Sequence, residues 1–244
     1  MEITFPNTRA LVTGASKGIG KDIAIKLAQC GAQVMAIGRS QADLDSLKNI
    51  HPSIETITLD LRNWQSTEDT LKNIESVDLL VNNAGEGMIK PVLDVEEKDI
   101  DRIFDLNVKG LMHVTKLVLK DMLRRKSSGA IVNVSSQAGL AGLYAQSVYC
   151  ASKGAVDAYT RALALEMGPQ NIRVNSVNPT VVMTEMGKKW WSDQNRAADM
   201  LSKIPLGRFA NVNEVVDVVI FLLSDKASMV NGVCVPIDGG YTCT

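Results

Sequence analysis

The sequence predicts an α/β fold, in which one doubly wound parallel sheet of about seven strands carries helices on both faces. Short runs rich in β-branched residues alternate with stretches in which apolar residues recur three or four positions apart. A glycine-rich turn follows the first run and leads directly into a helical stretch. The 244 residues contain no internal repeat and no linker rich in proline, glycine or serine, so we expect one domain spanning residues 1–244.

The elements follow in chain order. The expected strands occupy residues 9–12, 33–37, 55–59, 77–81, 130–134, 172–177 and 232–236. Gly31 is placed to end the first helix as its C′ residue, and Ser40 with Asp43 has the spacing of a capping box for the second. Residues 180–205 show the least regular pattern. An excursion near the carboxyl end of a strand often covers a ligand, so we expect a substrate lid there.

Composition argues against several classes of partner. There are 26 lysines and arginines against 27 aspartates and glutamates, which gives no reason to expect nucleic acid or a membrane as a partner. We expect no signal peptide and no membrane span, because no apolar run is long enough. The four scattered cysteines indicate a reducing, cytoplasmic location. His51 and His113 have no cysteine partners at ligand spacing, so we expect no metal site.

The turn after the first strand carries Gly14, Gly18 and Gly20 within "ALVTGASKGIGKDIAIKLA". Glycines let a backbone approach a pyrophosphate, and the helix that follows offers amide donors and a positive dipole. The alternative is a tight strand–helix turn without a ligand. Its position after the first strand favours a Rossmann-type dinucleotide site. The same residues also fit the G-x-S-x-G elbow of serine hydrolases, but no histidine follows His113 to complete a triad.

The end of the second predicted strand bears on the cofactor. An enzyme that binds NAD(H) usually has an acidic residue there to hold the ribose hydroxyls. This chain has Gly38 followed by Arg39, and Lys17 lies in the glycine turn. Arginine can hold a 2′-phosphate with several donors, so we predict NADP(H). The alternative is that Arg39 is a solvated loop charge.

Asn107 lies within a helical apolar stripe. An unpartnered buried amide costs about 1–3 kcal/mol, so the side chain must be hydrogen-bonded. Its partner is either a neighbouring strand, which would be a structural role, or a water or side chain near a catalytic lysine. The apolar positions of the stripe are Ile100, Phe104, Val108, Leu111 and Val118.

Tyr149 and Lys153 are four residues apart at the start of a predicted helix, so they share a helical face. A surface pair is the simpler interpretation. Alternatively, the lysine ammonium can favour the phenolate and so lower the tyrosine pKa, which makes the phenol a usable acid and base near neutral pH.

Several segments together resemble the short-chain dehydrogenase/reductase family. They are "TGASKGIG", "NNAG", Asn107, "VNVSS", "YCASK" and "VNSVNPTVVMT", in the family's order and spacing over nearly the whole chain. Within the family, "GRSQADLDSL", "NPTVVMTEMGKKWWSD" and "IPLGRF" are most similar to carbonyl reductases that act as L-xylulose (dicarbonyl) reductases. The resemblance implies reduction of a small carbonyl compound by NADPH.

The same resemblance implies the site residues. Tyr149 would be the general acid and base, Lys153 would tune it and hold the nicotinamide ribose, Ser136 would bond the carbonyl oxygen, and Asn107 would fix a water. Asp60 would bond the adenine, and Val182 and Thr184 the carboxamide. Asn82 and Asn83 could equally tie neighbouring strands together. The implied cofactor residues are Gly14, Ser16, Lys17, Gly18, Ile19, Gly20, Arg39, Ser40, Asp60, Leu61, Asn83, Ala84, Gly85, Tyr149, Lys153, Pro179, Val182 and Thr184.

Residues 137–148 carry no charge, which favours a neutral ketose or α-dicarbonyl over a carboxylate substrate. The substrate candidates are Ser136, Gln137, Leu143, Gln146 and Trp191. Trp190 and Trp191 could instead pack at a subunit interface, because relatives assemble as homotetramers through the helices predicted at 100–124 and 148–167. Two other functions remain open: a reductase of 3-oxoacyl or steroid carbonyls, and a non-catalytic NADP(H)-binding regulator.

Overall fold

The computed structural model describes residues 2–243 apart from Asn73, Glu75 and Ser192, and it does not describe the side chains of Met186, Lys189, Trp190 and residues 194–196. Within this part of the chain, seven strands form one parallel sheet in the order β3-β2-β1-β4-β5-β6-β7. Their bounds are β1 Arg9–Thr13, β2 Gln33–Gly38, β3 Glu55–Thr58, β4 Leu79–Asn82, β5 Gly129–Val134, β6 Ile172–Pro179 and β7 Cys234–Ile237. The predicted fold class is confirmed.

Helices connect the strands and cover the sheet. They are α1 Gly18–Gln29, α2 Gln41–Ile50, α3 Trp64–Leu71, α4 Glu97–Phe104, α5 Leu111–Arg125, α6 Ser147–Met167, α7 Glu185–Trp190, α8 Gln194–Leu201 and α9 Val212–Leu223. A π-helical segment, Asp105–Gly110, joins α4 to α5. No helix in the described ranges combines the length and apolar character needed to cross a bilayer.

Two apolar layers hold the helices against the sheet. One face packs against α1, α2 and α9 through buried residues such as Ile23, Leu44 and Val219. The opposite face packs against α3, α5 and α6 through residues such as Leu71 and Val118. The sheet order reverses direction between β1 and β4, and in doubly wound sheets ligands bind at the carboxyl ends of the strands at this switch point.

Local signals were mostly confirmed. Gly31 has a φ of +91° and follows α1. Ser40 accepts a hydrogen bond from the Asp43 backbone at 3.2 Å at the start of α2, but among the described contacts the Asp43 side chain does not form the second bond of a capping box. Residues 180–205 contain two helices, α7 and α8, and the substrate lid expected there stays a prediction. The hydroxyl of Thr184 caps α7 by accepting from the Gly187 backbone at 3.0 Å, a bond that the neighbouring "TVVMTEMG" pattern did not make evident.

Candidate active site

A cleft of about 710 Å³ opens where β1, β2 and β4 end. Twelve of the predicted cofactor residues line it: Gly14, Ser16, Lys17, Gly18, Ile19, Arg39, Ser40, Leu61, Asn83, Ala84, Gly85 and Thr184. Sequence reasoning had not singled out the lining residues Asp22, Met183 and Lys188, which come from the first helix and from the segment around α7. The cleft has the size and position expected of a dinucleotide site.

Other predicted cofactor residues lie outside the lining of the cleft. The Asp60 carboxylate accepts from the Arg62 backbone at 3.1 Å and from its guanidinium at 3.4 Å. Val182 is buried and bridges to Ala210, and Pro179 ends β6. Gly20, Tyr149 and Lys153 are likewise absent from the lining. The adenine role implied for Asp60 therefore remains a prediction.

Close packing explains two of the loop glycines. Gly14 has a φ of +65°, and a Cβ there would lie 2.7 Å from the Cα of Ala84. A Cβ at Gly20 would collide with the side-chain nitrogen of Asn83. That nitrogen donates to the carbonyl oxygens of Thr13 and Gly14, each at 3.1 Å. Asn83 therefore ties β1 to β4, as the structural interpretation predicted. It also lines the cleft, and its role in cofactor binding stays a prediction.

Asn82 has a structural role only. It is 2% exposed, and its Nδ2 donates to Thr115 Oγ1 at 2.8 Å and to Asn133 Oδ1 at 2.9 Å. Asn133 in turn donates to Thr160 Oγ1 at 2.9 Å. This interior chain of hydrogen bonds connects β4 and β5 to α5 and α6, away from the cleft.

Two cations line the cleft near the end of β2, and position 38 has no space for an acidic side chain. A Cβ at Gly38 would lie 2.9 Å from the Cβ of Ser16. Arg39 is exposed and, among the described residues, forms no ion pair. Lys17 lies at the N-cap of α1 on the same cleft. Since helix N-termini and cations attract anions, this lining fits the phosphates of a dinucleotide.

Tyr149 lies in the first turn of α6 and is half-buried. The side chain of Ser136, which follows β5, lies close enough to interact with the Tyr149 hydroxyl. Burial raises the pKa of Tyr149, and the interaction with Ser136 acts in the opposite direction. The strand end and the helix start thus place two of the predicted catalytic groups in contact.

Lys153 follows one helical turn later and is 5% exposed. Its Nζ lies 5.8 Å from the centre of the Tyr149 ring and donates to the Val134 carbonyl at 2.8 Å. Burial lowers the pKa of Lys153 to about 8, and the charge of Asp157 opposes that change. A Cβ at Gly85 would lie 3.5 Å from this Nζ, so the lysine borders the loop that follows β4.

The surroundings of Tyr149 and Lys153 oppose charge on both groups. Burial is the largest effect on the pKa of Tyr149 and raises it. The ammonium is hydrogen-bonded to Val134, and burial also makes Lys153 easier to deprotonate. The lowering of the tyrosine pKa by the ammonium therefore stays a prediction.

Asn107 lies in the π-helical segment and is 1% exposed. Its Oδ1 accepts from the Glu86 backbone at 2.8 Å, and its Nδ2 donates to the Glu86 carbonyl at 3.0 Å and to Ser152 Oγ at 3.1 Å. The amide is satisfied as predicted, but by a loop and by α6 instead of a strand. Its Oδ1 would lie 3.4 Å from a Cβ at Gly85, which places it beside the lysine.

The predicted substrate residues differ in their burial and in their partners. Gln137 is 2% exposed, its Oε1 has no partner in the described part of the chain, and its Nε2 lies 4.0 Å from Met200 Sδ on α8. Leu143 and Gln146 are half-buried. The Trp191 ring packs against Phe209 with centroids 5.3 Å apart, and the side chain of Trp190 lies outside the described residues.

The hydrolase alternative has no support in the geometry. His113 is stacked on Trp64 with ring centroids 3.5 Å apart, and its Nε2 lies 2.6 Å from Glu68 Oε2. These partners come from α3, whereas Ser16 lies in the glycine loop and lines the cleft. Among the described residues, His113 is the one histidine on the helices that cover the sheet, and it is paired with α3 and not with Ser16.

Comparison with known proteins agrees with this geometry. The sequence profile of the short chain dehydrogenases matches residues 8–195. The chain is 50% identical to the L-xylulose reductase of Bos taurus over 244 residues, all of both chains. It is 46% identical over 240 residues to the D-erythrulose reductase of Gallus gallus, covering 98% of each.

A solved structure gives the same result. The crystal structure of a putative 2-deoxy-D-gluconate 3-dehydrogenase from Agrobacterium tumefaciens with bound NADP matches with a TM-score of 0.93 at 29% identity, covering 100% of this chain and 99% of that one. Because the family profile spans most of the chain and a relative shares half of its residues from end to end, this protein belongs to the short-chain dehydrogenase/reductase family, whose members are NAD(P)(H)-dependent oxidoreductases.

Proposed function

We propose that this protein is an NADPH-dependent carbonyl reductase that reduces a small neutral ketose or α-dicarbonyl, in a reaction of the L-xylulose to xylitol type. The observation that carries the proposal is the interaction of the Tyr149 hydroxyl with the Ser136 side chain beside the buried amine of Lys153. The names of two relatives, L-xylulose reductase and D-erythrulose reductase, point to small ketoses as substrates.

The preference for NADPH rests on charge. Arg39 and Lys17 line the cleft, and no acidic side chain fits at Gly38 without displacing Ser16. Arginine and lysine donors would hold the 2′-phosphate, whereas a carboxylate at the end of β2 would repel it. Asp43 also lines the cleft, but its backbone is bonded to Ser40 within the first turn of α2. A related structure that carries bound NADP supports the same preference.

Residues of this chain would donate the proton and stabilise the charges that form during the reaction. NADPH would supply the hydride that reduces the carbonyl carbon. Tyr149 would donate a proton to the carbonyl oxygen, and Ser136 would stabilise the negative charge that grows on it. Lys153 in its ammonium form would favour the resulting phenolate. Asn107 holds the loop beside Gly85 through its two bonds to Glu86, and we expect it to order a water near Lys153.

The substrate class follows from what surrounds Ser136. Residues 137–148 contain no charged side chain, so a carboxylate would find no cation there. Gln137 presents a buried amide next to Ser136, which suits a hydroxyl or a second carbonyl. The segment 180–205, including α8 with Met200 against Gln137, would form the lid over this substrate.

A substrate panel tests the proposal. Consumption of NADPH is followed with pentuloses, α-dicarbonyls, acyl thioesters and steroid ketones at equal concentration. We expect the pentuloses and dicarbonyls to give the highest kcat/KM. Preference for an acyl thioester or a steroid would assign the enzyme to another branch of the family, and no turnover with any carbonyl would favour a non-catalytic NADP(H)-binding protein.

We further propose a cytoplasmic homotetramer. Leu123 on α5 and Leu165 on α6 are 40% and 81% exposed. Apolar side chains on neighbouring helices are typical of surfaces that pack against a second subunit. A monomer at micromolar concentration in light scattering would contradict the tetramer.

A further inference from the structure

A buried carboxylate lies directly behind the proposed catalytic residues. Asp157 follows Lys153 by one turn of α6 and is 2% exposed. Its Oδ1 accepts from Ser176 Oγ at 3.0 Å, and its Oδ2 accepts from Asn178 Nδ2 at 2.8 Å. Within the described residues it forms no ion pair, so neutral donors alone hold it. Burial of a carboxylate without a paired cation is costly, and such groups commonly serve a function.

The carboxylate is connected to Ser136 on two sides. The same amide of Asn178 that bonds Asp157 also donates to the Ser136 carbonyl at 3.0 Å. The turn that follows Ser136 packs directly on Asp157, because a Cβ at Gly139 would collide with its Oδ2. Movement or loss of this carboxylate would therefore shift the backbone that sets the position of the Ser136 hydroxyl.

The carboxylate also acts on Lys153. Residues four apart share a helical face, and Asp157 is the one charge that, among the described groups, counteracts the effect of burial on the pKa of Lys153. Other titratable groups on this part of α6 are Tyr149, Cys150 and Arg161. Cys234 on β7 packs here as well, with its Sγ 4.0 Å from the Asp157 carbonyl oxygen and 3.5 Å from Arg161 Nη1.

We propose that Asp157 is a positioning residue of the reductase, which fixes the backbone of Ser136 through Asn178 and supplies the negative charge on the helical face of Lys153. The inference rests on the proposed function, because it assigns Asp157 to the proton-donating half of that reaction. Ser176 donates a hydrogen bond to Asp157 but not to Ser136 and carries no charge, so it serves as the control position.

The test compares Asp157→Asn with Ser176→Ala in the pH profile of kcat for reduction by NADPH. An asparagine keeps the size and part of the hydrogen bonding but removes the anion, so Lys153 should lose its proton more readily. We expect the basic limb of the Asp157→Asn profile to lie about one pH unit below that of the wild type. At pH values above both limbs, kcat of the variant should be about tenfold lower than that of the wild type. Ser176→Ala keeps the anion, and its limb should coincide with that of the wild type. The KM for NADPH should stay within about twofold in both variants.

The outcomes distinguish a failure of the role proposed for Asp157 from a failure of the proposed function. If the wild-type enzyme reduces carbonyls but the Asp157→Asn limb coincides with it, or if Ser176→Ala moves the limb equally, the role of Asp157 is wrong and the proposed function stands. If the wild-type enzyme reduces no carbonyl, both are wrong. Should Asp157→Asn fail to fold by circular dichroism, Asp157→Glu takes its place: it keeps the charge but crowds Gly139, so kcat should fall while the limb stays in place. A moved limb in that variant would overturn the inference.

Discussion

Arg39, the exposed cation that follows β2, allows a quantitative prediction of the preference for NADPH over NADH. Arg39→Asp should weaken NADPH binding and leave NADH binding nearly unchanged, because only NADPH carries the 2′-phosphate. Arg39 lines the cleft and has no competing carboxylate among the described residues, so its guanidinium is available to the phosphate. A larger residue at position 38 could not bind the phosphate in place of Arg39, because its side chain would collide with Ser16.

The magnitude follows from the exposure of the side chain. A hydrogen bond to a charged group contributes about 1.5–3 kcal/mol, and the solvent around Arg39 places it at the lower end. The new carboxylate adds repulsion of about 1 kcal/mol toward a doubly charged phosphate across solvent. The sum of about 2–3 kcal/mol corresponds to a 30- to 160-fold rise in the Kd for NADPH.

Titration of reduced-nicotinamide fluorescence gives the Kd for both cofactors, and kcat/KM with each gives the kinetic preference. Lys226→Asp is the matched control, because it changes the net charge by the same amount at an exposed position that does not line the cleft. If Arg39→Asp leaves the ratio of the two Kd values unchanged, or shifts it no more than Lys226→Asp does, Arg39 does not bind the phosphate and the charge argument is wrong.

Three further outcomes are expected. Asn82→Ala should lower the free energy of unfolding in urea by about 1–3 kcal/mol, because it leaves buried partners on β5 and α5 unpaired. The Kd for NADPH should stay unchanged, and a specific loss of cofactor affinity would contradict the structural role of Asn82. Gly20→Ala should destabilise the fold by about 1–3 kcal/mol and weaken both cofactors, since the methyl collides with Asn83; wild-type stability and affinity would show that the loop adapts. The rate of reduction should decline as pH rises through about 8, where Lys153 loses its proton, and a rate that is constant up to pH 10 would contradict the need for the ammonium.

Local sequence signals predicted most of the fold. All seven strands begin within two residues of their predicted start, because β-branched runs and bounding turns are short-range features. The largest differences are at β4, which begins at Leu79 rather than at residue 77, and at β7, which begins at Cys234 rather than at residue 232. The π-helical segment Asp105–Gly110 was not predictable from periodicity. It adds residues to one turn of an otherwise regular helix, and its apolar stripe continues on both sides. Its position at Asn107 fits the habit of π-helical turns to occur at functional sites.

The site was predictable where its residues are close in sequence. Tyr149 and Lys153 face the same way because they are one helical turn apart, and the glycine loop is recognisable by its spacing. What spacing could not give are the long-range partners: the Val134 carbonyl on Lys153, Glu86 on Asn107, and Asp157 behind Ser136. For the same reason the balance of burial against charge at Tyr149 could not be judged, since it depends on how fully the folded chain encloses the phenol.

The most direct test is the hydride-transfer rate of Tyr149→Phe in a single turnover with saturating NADPH and a pentulose. Phenylalanine keeps the ring that packs beside Lys153 but removes the hydroxyl that interacts with Ser136. We expect NADPH to bind as tightly as in the wild type, while the rate falls by about 10²–10⁴-fold, as for the loss of a general acid. A rate within tenfold of the wild type, with the cofactor bound, would show that another group delivers the proton.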